Sequence, residues 1–146
     1  AIRQIKLKGY KVVLFFNEPA ITQSNISPDM IDIVNNELMK IFGQAGIMSI
    51  EGLLYSTTNA KADIYALPNI GMLKRAENDF RVNFKDGYFV GSNFYDLKAA
   101  DKIGAKPILI GDDIDTEAKL NTFANKEIKK ATKKFSSLLE FANYLA

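Results

Sequence analysis

Gly87-Tyr-Phe-Val-Gly91-Ser-Asn-Phe-Tyr-Asp96-Leu-Lys-Ala-Ala100-Asp-Lys-Ile-Gly104-Ala-Lys-Pro-Ile-Leu-Ile110 is the stretch whose reading decides the fold. Gly87 to Gly91 is short and apolar, with aromatic and β-branched residues, and predicts a strand. A small polar turn follows. Phe94 to Ile103 predicts a helix, closed by Gly104, the residue type that most readily takes the left-handed backbone at a helix end. Pro107 to Ile110 is then a second strand. Strand, helix and strand in that order describe one unit of a parallel sheet.

The pattern extends in both directions. Lys11-Val-Val-Leu-Phe-Phe16 is a continuous apolar run of strand length, as expected for a strand buried on both faces. Ser27-Pro28-Asp29 is a helix start, with a hydroxyl cap, proline in the first turn and an acid beside it. Ile31, Val34, Leu38, Ile41 and Ala45 are the expected core stripe of that helix, which should stop near Gly43 or Gly46. Glu51 to Tyr55 predicts a strand, Ser56 to Asn69 a loop, and Gly71 to Phe80 a helix with Leu73, Ala76 and Phe80 on one side. After a Lys-rich segment, Ser137-Leu-Leu-Glu140 has capping-box spacing and starts a last helix to Leu145. At the other end there is no initiator Met, and Ala1 to Gly9 reads as the back half of an amphipathic helix closed by glycine. That start is expected of a processed or truncated chain. Strands alternating with helices predict one α/β domain, a Rossmann-like parallel sheet with helices on both faces.

Composition narrows the chemistry. The chain has 146 residues, 47% of them hydrophobic, enough for a core without staples. Nineteen Lys and Arg against seventeen Asp and Glu leave +2, so bulk charge predicts no nucleic-acid partner. Without Cys there are no disulfides, thiolate metal sites or cysteine nucleophiles, and without His no imidazole catalysis or imidazole ligands. No apolar run reaches membrane-span length and no signal peptide opens the chain, so no membrane partner is expected. The expectation is a soluble protein, cytoplasmic by default.

Ligand sites in such sheets lie beyond the carboxyl ends of the strands. That directs attention to Phe16-Asn17-Glu18, to Ser56 onward, and above all to Gly91-Ser92-Asn93-Phe94-Tyr95-Asp96. Glycine, small polar residues and a carboxylate at a helix start are able to hold an anion or, with more acids, a metal. The same residues also make a tight turn in which Asp96 simply favours the helix N-terminus. Glu18 and Asp96 are a candidate carboxylate pair, although one acid at each of two strand ends is common. Lys126, Lys129, Lys130, Lys133 and Lys134 form the basic cluster, expected to be a solvated face. Phe15, Phe16, Tyr88, Phe89 and Phe94 are expected in the core.

Taken together, Gly9-Tyr-Lys-Val-Val-Leu-Phe-Phe-Asn17-Glu-Pro-Ala-Ile21, Asn69-Ile-Gly71-Met-Leu73 and Tyr88 to Ile110 resemble the haloacid dehalogenase (HAD) superfamily. The nearest likeness is to its histidinol-phosphatase and D,D-heptose-1,7-bisphosphate phosphatase branch. The resemblance covers nearly the whole chain and is most specific over residues 87–110.

The resemblance implies a phosphatase that makes an aspartyl-phosphate, with Mg²⁺ offsetting charge on the transferring group. Its nucleophile lies on a first, central strand that would precede Ala1. Its phosphate-binding hydroxyl corresponds to Phe16, followed by a retained Asn17. Its phosphate-neutralising Lys corresponds to Leu67, before Pro68. Its Gly-Asp metal motif corresponds to Gly91-Ser92, and only the later Asp96 is kept. The branch's zinc ligands fall near Ser56, Thr58, Asp63 and Tyr65, which do not make a zinc site.

Scaffold positions therefore persist while chemical positions change type. The leading expectation is a non-catalytic HAD-like domain, a pseudophosphatase with a binding or structural role and no cofactor. Asn17, Ser92 and Asp96 would be the remnant of its phosphate and metal pocket. The alternative is an N-terminally truncated, Mg²⁺-dependent HAD phosphatase acting on a sugar phosphate or histidinol phosphate. A third is a small anion-binding module using the turn from Gly91 to Asp96. Without the central strand, residues 11–16 and 87–91 would expose hydrophobic edges. The expected partner is another protein chain or an upstream segment that completes the sheet, unless those strands close on each other.

Overall fold

In order, the elements are α1 (Ile2–Leu7), β1 (Val13–Asn17), α2 (Pro28–Gln44), β2 (Gly52–Ser56), α3 (Gly71–Phe80), β3 (Tyr88–Gly91), α4 (Phe94–Ile103), β4 (Lys106–Ile110), α5 (Ile114–Leu120), a 3₁₀ turn (Phe123–Asn125), α6 (Lys126–Ala131), β5 (Lys133–Phe135) and α7 (Leu138–Tyr144). The computed structural model describes residues 1–17, 28–47, 49–56 and 63–146. Every pairing in it is parallel. β1 runs beside β2, with Phe15 opposite Leu54, and β3–β4–β5 form a second ladder with Val90 opposite Ile108 and Ile108 opposite Lys133. The expected α/β class and parallel pairing hold, but the described strands lie in two sheets.

Alternation along the strands sends side chains to two helical layers. On one side Phe89 packs with Met72, Leu73, Ala100, Ile103 and Ala105, joined by Phe15 and Leu54. On the other, Ile108 packs with Ile5, Phe141, Ala142 and Leu145, joined by Val12, Tyr88 and Val90. Leu109 faces a third group, Phe94, Leu97, Leu120 and Ile128. The central strand β4 is accordingly the most deeply set, with Ile108 and Leu109 each 1% exposed.

Local chemistry fixes the ends of these elements. Gly104, at φ +79°, ends α4, where its N–H reaches back to the carbonyl of Asp101. Ser137 Oγ accepts from the N–H of Glu140 at the start of α7, while Glu140 closes onto the N–H and hydroxyl of Ser136. The capping box read in the sequence thus reaches one residue further upstream than expected. At the far end of α7, Lys8 Nζ donates to the carbonyls of Ala142 and Leu145, which ties α1 to the last helix. Glu51 couples α1 to both strands of the first sheet, accepting from Lys6 Nζ at 2.6 Å and from the N–H of Val12 at 2.5 Å. Burial opposes its charge, but those two partners outweigh burial and hold the Glu51 carboxyl below its ordinary range.

Several expectations are corrected. The stripe assigned to the core face of α2 is partly turned outward, with Val34 63% and Ile41 51% exposed. Leu38 of that stripe is half-buried as expected, and it is joined there by Asn35 and Phe42, each one residue on from the exposed Val34 and Ile41. Apolar residues on several sides of α2 made its facing stripe ambiguous. The expected cap Ser27 lies outside the described residues. The Lys-rich segment contains two short helices and a strand. β5 is three residues, Lys-Lys-Phe, with both lysines exposed, as befits a short edge strand. The lysines at 126, 129, 130, 133 and 134 are all exposed.

Candidate functional site

The turn from β3 to α4 is built by its own side chains. Asn93 caps the helix, its Oδ1 accepting from the N–H groups of Tyr95 at 2.9 Å and Asp96 at 3.2 Å. Asp96 returns the bond, its Oδ2 accepting from the N–H groups of Ser92 at 2.9 Å and Asn93 at 3.3 Å. This is a complete capping box in an Asn-x-x-Asp sequence. It engages the N–H groups of Ser92, Asn93, Tyr95 and Asp96, four donors that an anion at this helix start would otherwise recruit. The turn and site readings of these residues are therefore distinguishable by geometry, and the geometry is that of a turn closed on itself. The capping role of Asn93 was legible in its spacing from Asp96, a signal that attention to the carboxylates alone passes over.

Gly91 is what lets the turn close. A Cβ there would stand 2.2 Å from Asp96 Cβ and 2.5 Å from Asp96 Oδ2. Packing this close withdraws Asp96 from water, and burial lifts its carboxyl above the ordinary range although the two N–H donors pull the other way. A carboxyl raised in the folded state favours folding when protonated, and that contribution is lost as pH rises through its folded pKa. Asp96→Asn keeps an oxygen for Ser92 and removes the ionisation. Its urea midpoint is expected to match or exceed wild type at pH 7, with the difference shrinking as pH is lowered through the carboxylate range. A variant weakened most at pH 7 would show that the charge itself holds the turn.

Of the expected site residues, Ser92 and Asp96 are joined directly, and Ser92 is exposed. Asn17 ends β1 in the other sheet, with its backbone in register with Ser56. Glu18, the other half of the candidate carboxylate pair, lies outside the described residues, as does Thr58.

The remaining positions have structural employment. Leu67 packs against the cluster of Met72, Leu73 and Phe89. Phe16 is half-buried on β1, in register with Tyr55. Ser56 is buried on β2. Asp63 Oδ1 accepts from the N–H of Tyr65 at 2.8 Å, a turn bond, and Tyr65 lies under the Arg75 guanidinium, 6.0 Å from its ring centre.

Carboxylates after β4 are likewise engaged. Lys134 bridges Asp112 and Glu117, Lys119 holds Asp115 at 2.9 Å, and Asp113 caps α5 through Thr116. Among the described residues no three His, Cys, Asp or Glu side chains are gathered as a metal site. Magnesium prefers several oxygen ligands in near-octahedral order. A lone Asp96, already accepting two backbone bonds, does not fit that requirement.

Comparison with known proteins places this architecture. Two D-glycero-beta-D-manno-heptose-1,7-bisphosphate 7-phosphatases of Neisseria meningitidis, from serogroups A and B, are each 24% identical over 147 aligned positions, covering 99% of this chain and 76% of theirs. The crystal structure of D,D-heptose 1.7-bisphosphate phosphatase from B. bronchiseptica, complexed with magnesium and phosphate, superposes with a TM-score of 0.80 over 97% of this chain and 76% of that one, at 17% identity. The chain is HAD-like. No protein-family model matches it. The HAD-like fold accounts for the parallel ladders and for the order in which they follow one another. No helix among the described residues is long and apolar enough to cross a membrane.

Proposed function

We propose that this HAD-like chain is a pseudophosphatase, a domain kept for its fold and used in a binding or structural role. The observation that carries the reading is the turn from Gly91 to Asp96, where the N–H groups of Ser92 and Asn93 are held by Asp96 Oδ2 and those of Tyr95 and Asp96 by Asn93 Oδ1. Phe16 and Leu67 support it. An apolar ring and an apolar branched side chain stand where the family resemblance asks for a hydroxyl and an ammonium, and Leu67 serves the core. Asn17, Ser92 and Asp96 are then the remnant of a phosphate pocket, and the domain works without Mg²⁺ or zinc.

The names of the relatives favour a second reading, a Mg²⁺-dependent HAD phosphomonoester hydrolase, because they match over 99% of the chain. Phosphate release from a phosphomonoester in the presence of Mg²⁺ separates the two. The first reading expects no release above the rate of buffer alone. Sustained turnover by homogeneous protein would establish the second.

A further inference from the structure

Charge is unevenly spread along the chain. Residues 121–135 carry five lysines and one acid, Glu127, a balance of +4. The rest of the chain carries fourteen basic against sixteen acidic side chains, a balance of −2. The fold turns most of the basic segment into one surface. α6 buries Ile128 against Leu109 and Leu120, which fixes the rotation of the helix. Successive residues turn by about 100°, so Lys126, Lys129 and Lys130 fall on the side away from Ile128, and all three are exposed. Lys134 stands apart from them, because it bridges Asp112 and Glu117.

An exposed ring belongs to the same surface. Phe123, in the 3₁₀ turn that leads into α6, is 86% exposed, and Lys126 Nζ lies 5.1 Å from its ring centre. Beyond α6 the chain enters the edge strand β5, where Lys133 Nζ lies 4.9 Å from the ring centre of Tyr144. Lys133 thus carries the charge on past the end of the helix. A phenyl ring so open to water adds little to the core, and ammonium groups surround it on α6. Such a surface complements a partner that is both anionic and apolar.

We propose that Phe123, Lys126, Lys129 and Lys130, continued by Lys133, form a docking surface for an anionic lipid bilayer. The ammonium groups meet the phosphate headgroups, and the Phe123 ring enters the boundary between headgroups and acyl chains. Two features favour lipid over nucleic acid. Every cation of the surface is Lys, a point charge suited to diffuse attraction, and none is Arg, the fork that reads phosphates and bases. The exposed Phe123 ring also carries an ammonium over one face, whereas base stacking needs open ring faces. A contact of this kind lies on the bilayer and needs no spanning helix. The proposal goes beyond the loss of phosphoryl transfer and stands whether or not that reading holds.

Flotation of the protein with lipid vesicles provides the test. Phosphatidylcholine vesicles with about 30% phosphatidylserine are expected to carry about tenfold or more protein than pure phosphatidylcholine vesicles. Raising NaCl to about 0.5 M should release most of it. Joint replacement by Lys126→Ala, Lys129→Ala and Lys130→Ala should weaken binding about a hundredfold, at roughly fivefold for each lysine lost near such a surface. Lys74→Ala, Lys85→Ala and Lys102→Ala together remove the same charge from exposed lysines elsewhere and should cost less than about threefold. Phe123→Ala should cost about tenfold. Three results overturn the proposal. One is equal flotation with the two kinds of vesicle. Another is an equal loss in the two triple variants, which would make net charge the cause. The third is binding of a fluorescent single-stranded oligonucleotide, lost in the first triple variant, without binding to either vesicle. None of them bears on phosphate release, so this test and the hydrolysis assay fail separately.

Discussion

Gly91→Ala is expected to lower folding stability by about 2–4 kcal/mol, combining overpacking with the loss of a helix cap. The added Cβ would lie 2.2 Å from Asp96 Cβ, an atom fixed to the first turn of α4 rather than to the end of a flexible side chain. Rotating the Asp96 side chain therefore relieves nothing. Either β3 and α4 separate, at the expense of Phe89, Ala100 and Ile103 in the core, or the turn opens and strands the N–H groups of Ser92 and Asn93. A urea unfolding series measures the loss. Removing the opposing Cβ with Asp96→Gly in the same chain should make the pair markedly non-additive, because the two substitutions answer the same contact. A cost below about 0.5 kcal/mol for Gly91→Ala, the range of an ordinary surface change, would show that β3 and α4 do not approach this closely.

Phe141→Ala carries the other large effect, about 3–5 kcal/mol. The ring is 2% exposed and stands edge-on to Tyr88 at 5.4 Å and to Phe135 at 5.6 Å, so it joins β3 and β5 from the face of α7. Ile5, Ile108 and Leu145 complete its surroundings, which makes it the residue through which α1 and α7 share a core. Truncation leaves a ring-sized void among groups held by separate elements, and such voids collapse only in part. Phe141→Leu, which keeps most of the volume, should lose much less. The comparison is made by urea unfolding followed through tyrosine near-ultraviolet dichroism, since Tyr10, Tyr88 and Tyr144 lie near the site. Equal losses in the two variants would mean that the aromatic contacts, and not filled volume, account for the stability.

Residues 87–110 were the most legible part of the chain because local and tertiary preferences agree there. Gly104 ends α4 where a left-handed glycine should, and β3, α4 and β4 lie within a residue or so of their expected bounds. α2 was legible as a helix but not in its orientation. Its apolar residues occupy more than one face, and periodicity cannot choose between stripes when packing decides. The region after β4 was least legible. α5 and α6 contribute only Thr116, Leu120 and Ile128 to the buried set, too few to stand out as a repeat among lysines. The same holds at the candidate site. Residue types told which groups were present around Gly91, but two explanations shared them, and only the bond directions among Ser92, Asn93, Tyr95 and Asp96 separate a receptive helix start from an occupied one. The division of the described strands into two sheets has a similar origin. A hydrophobic run at 11–16 announces a strand that wants two neighbours, while the number it has is a property of topology.

The proposed loss of phosphoryl transfer rests on the turn after β3 being closed by its own side chains. The measurement that bears on it most directly is hydrolysis of heptose-1,7-bisphosphate, with p-nitrophenyl phosphate as a second substrate, by purified protein at saturating Mg²⁺. The account predicts phosphate release indistinguishable from buffer with both substrates, and no change on Asp96→Asn. Mg²⁺-dependent release that follows the protein through purification and is lost in Asp96→Asn, while folding is preserved, would contradict it.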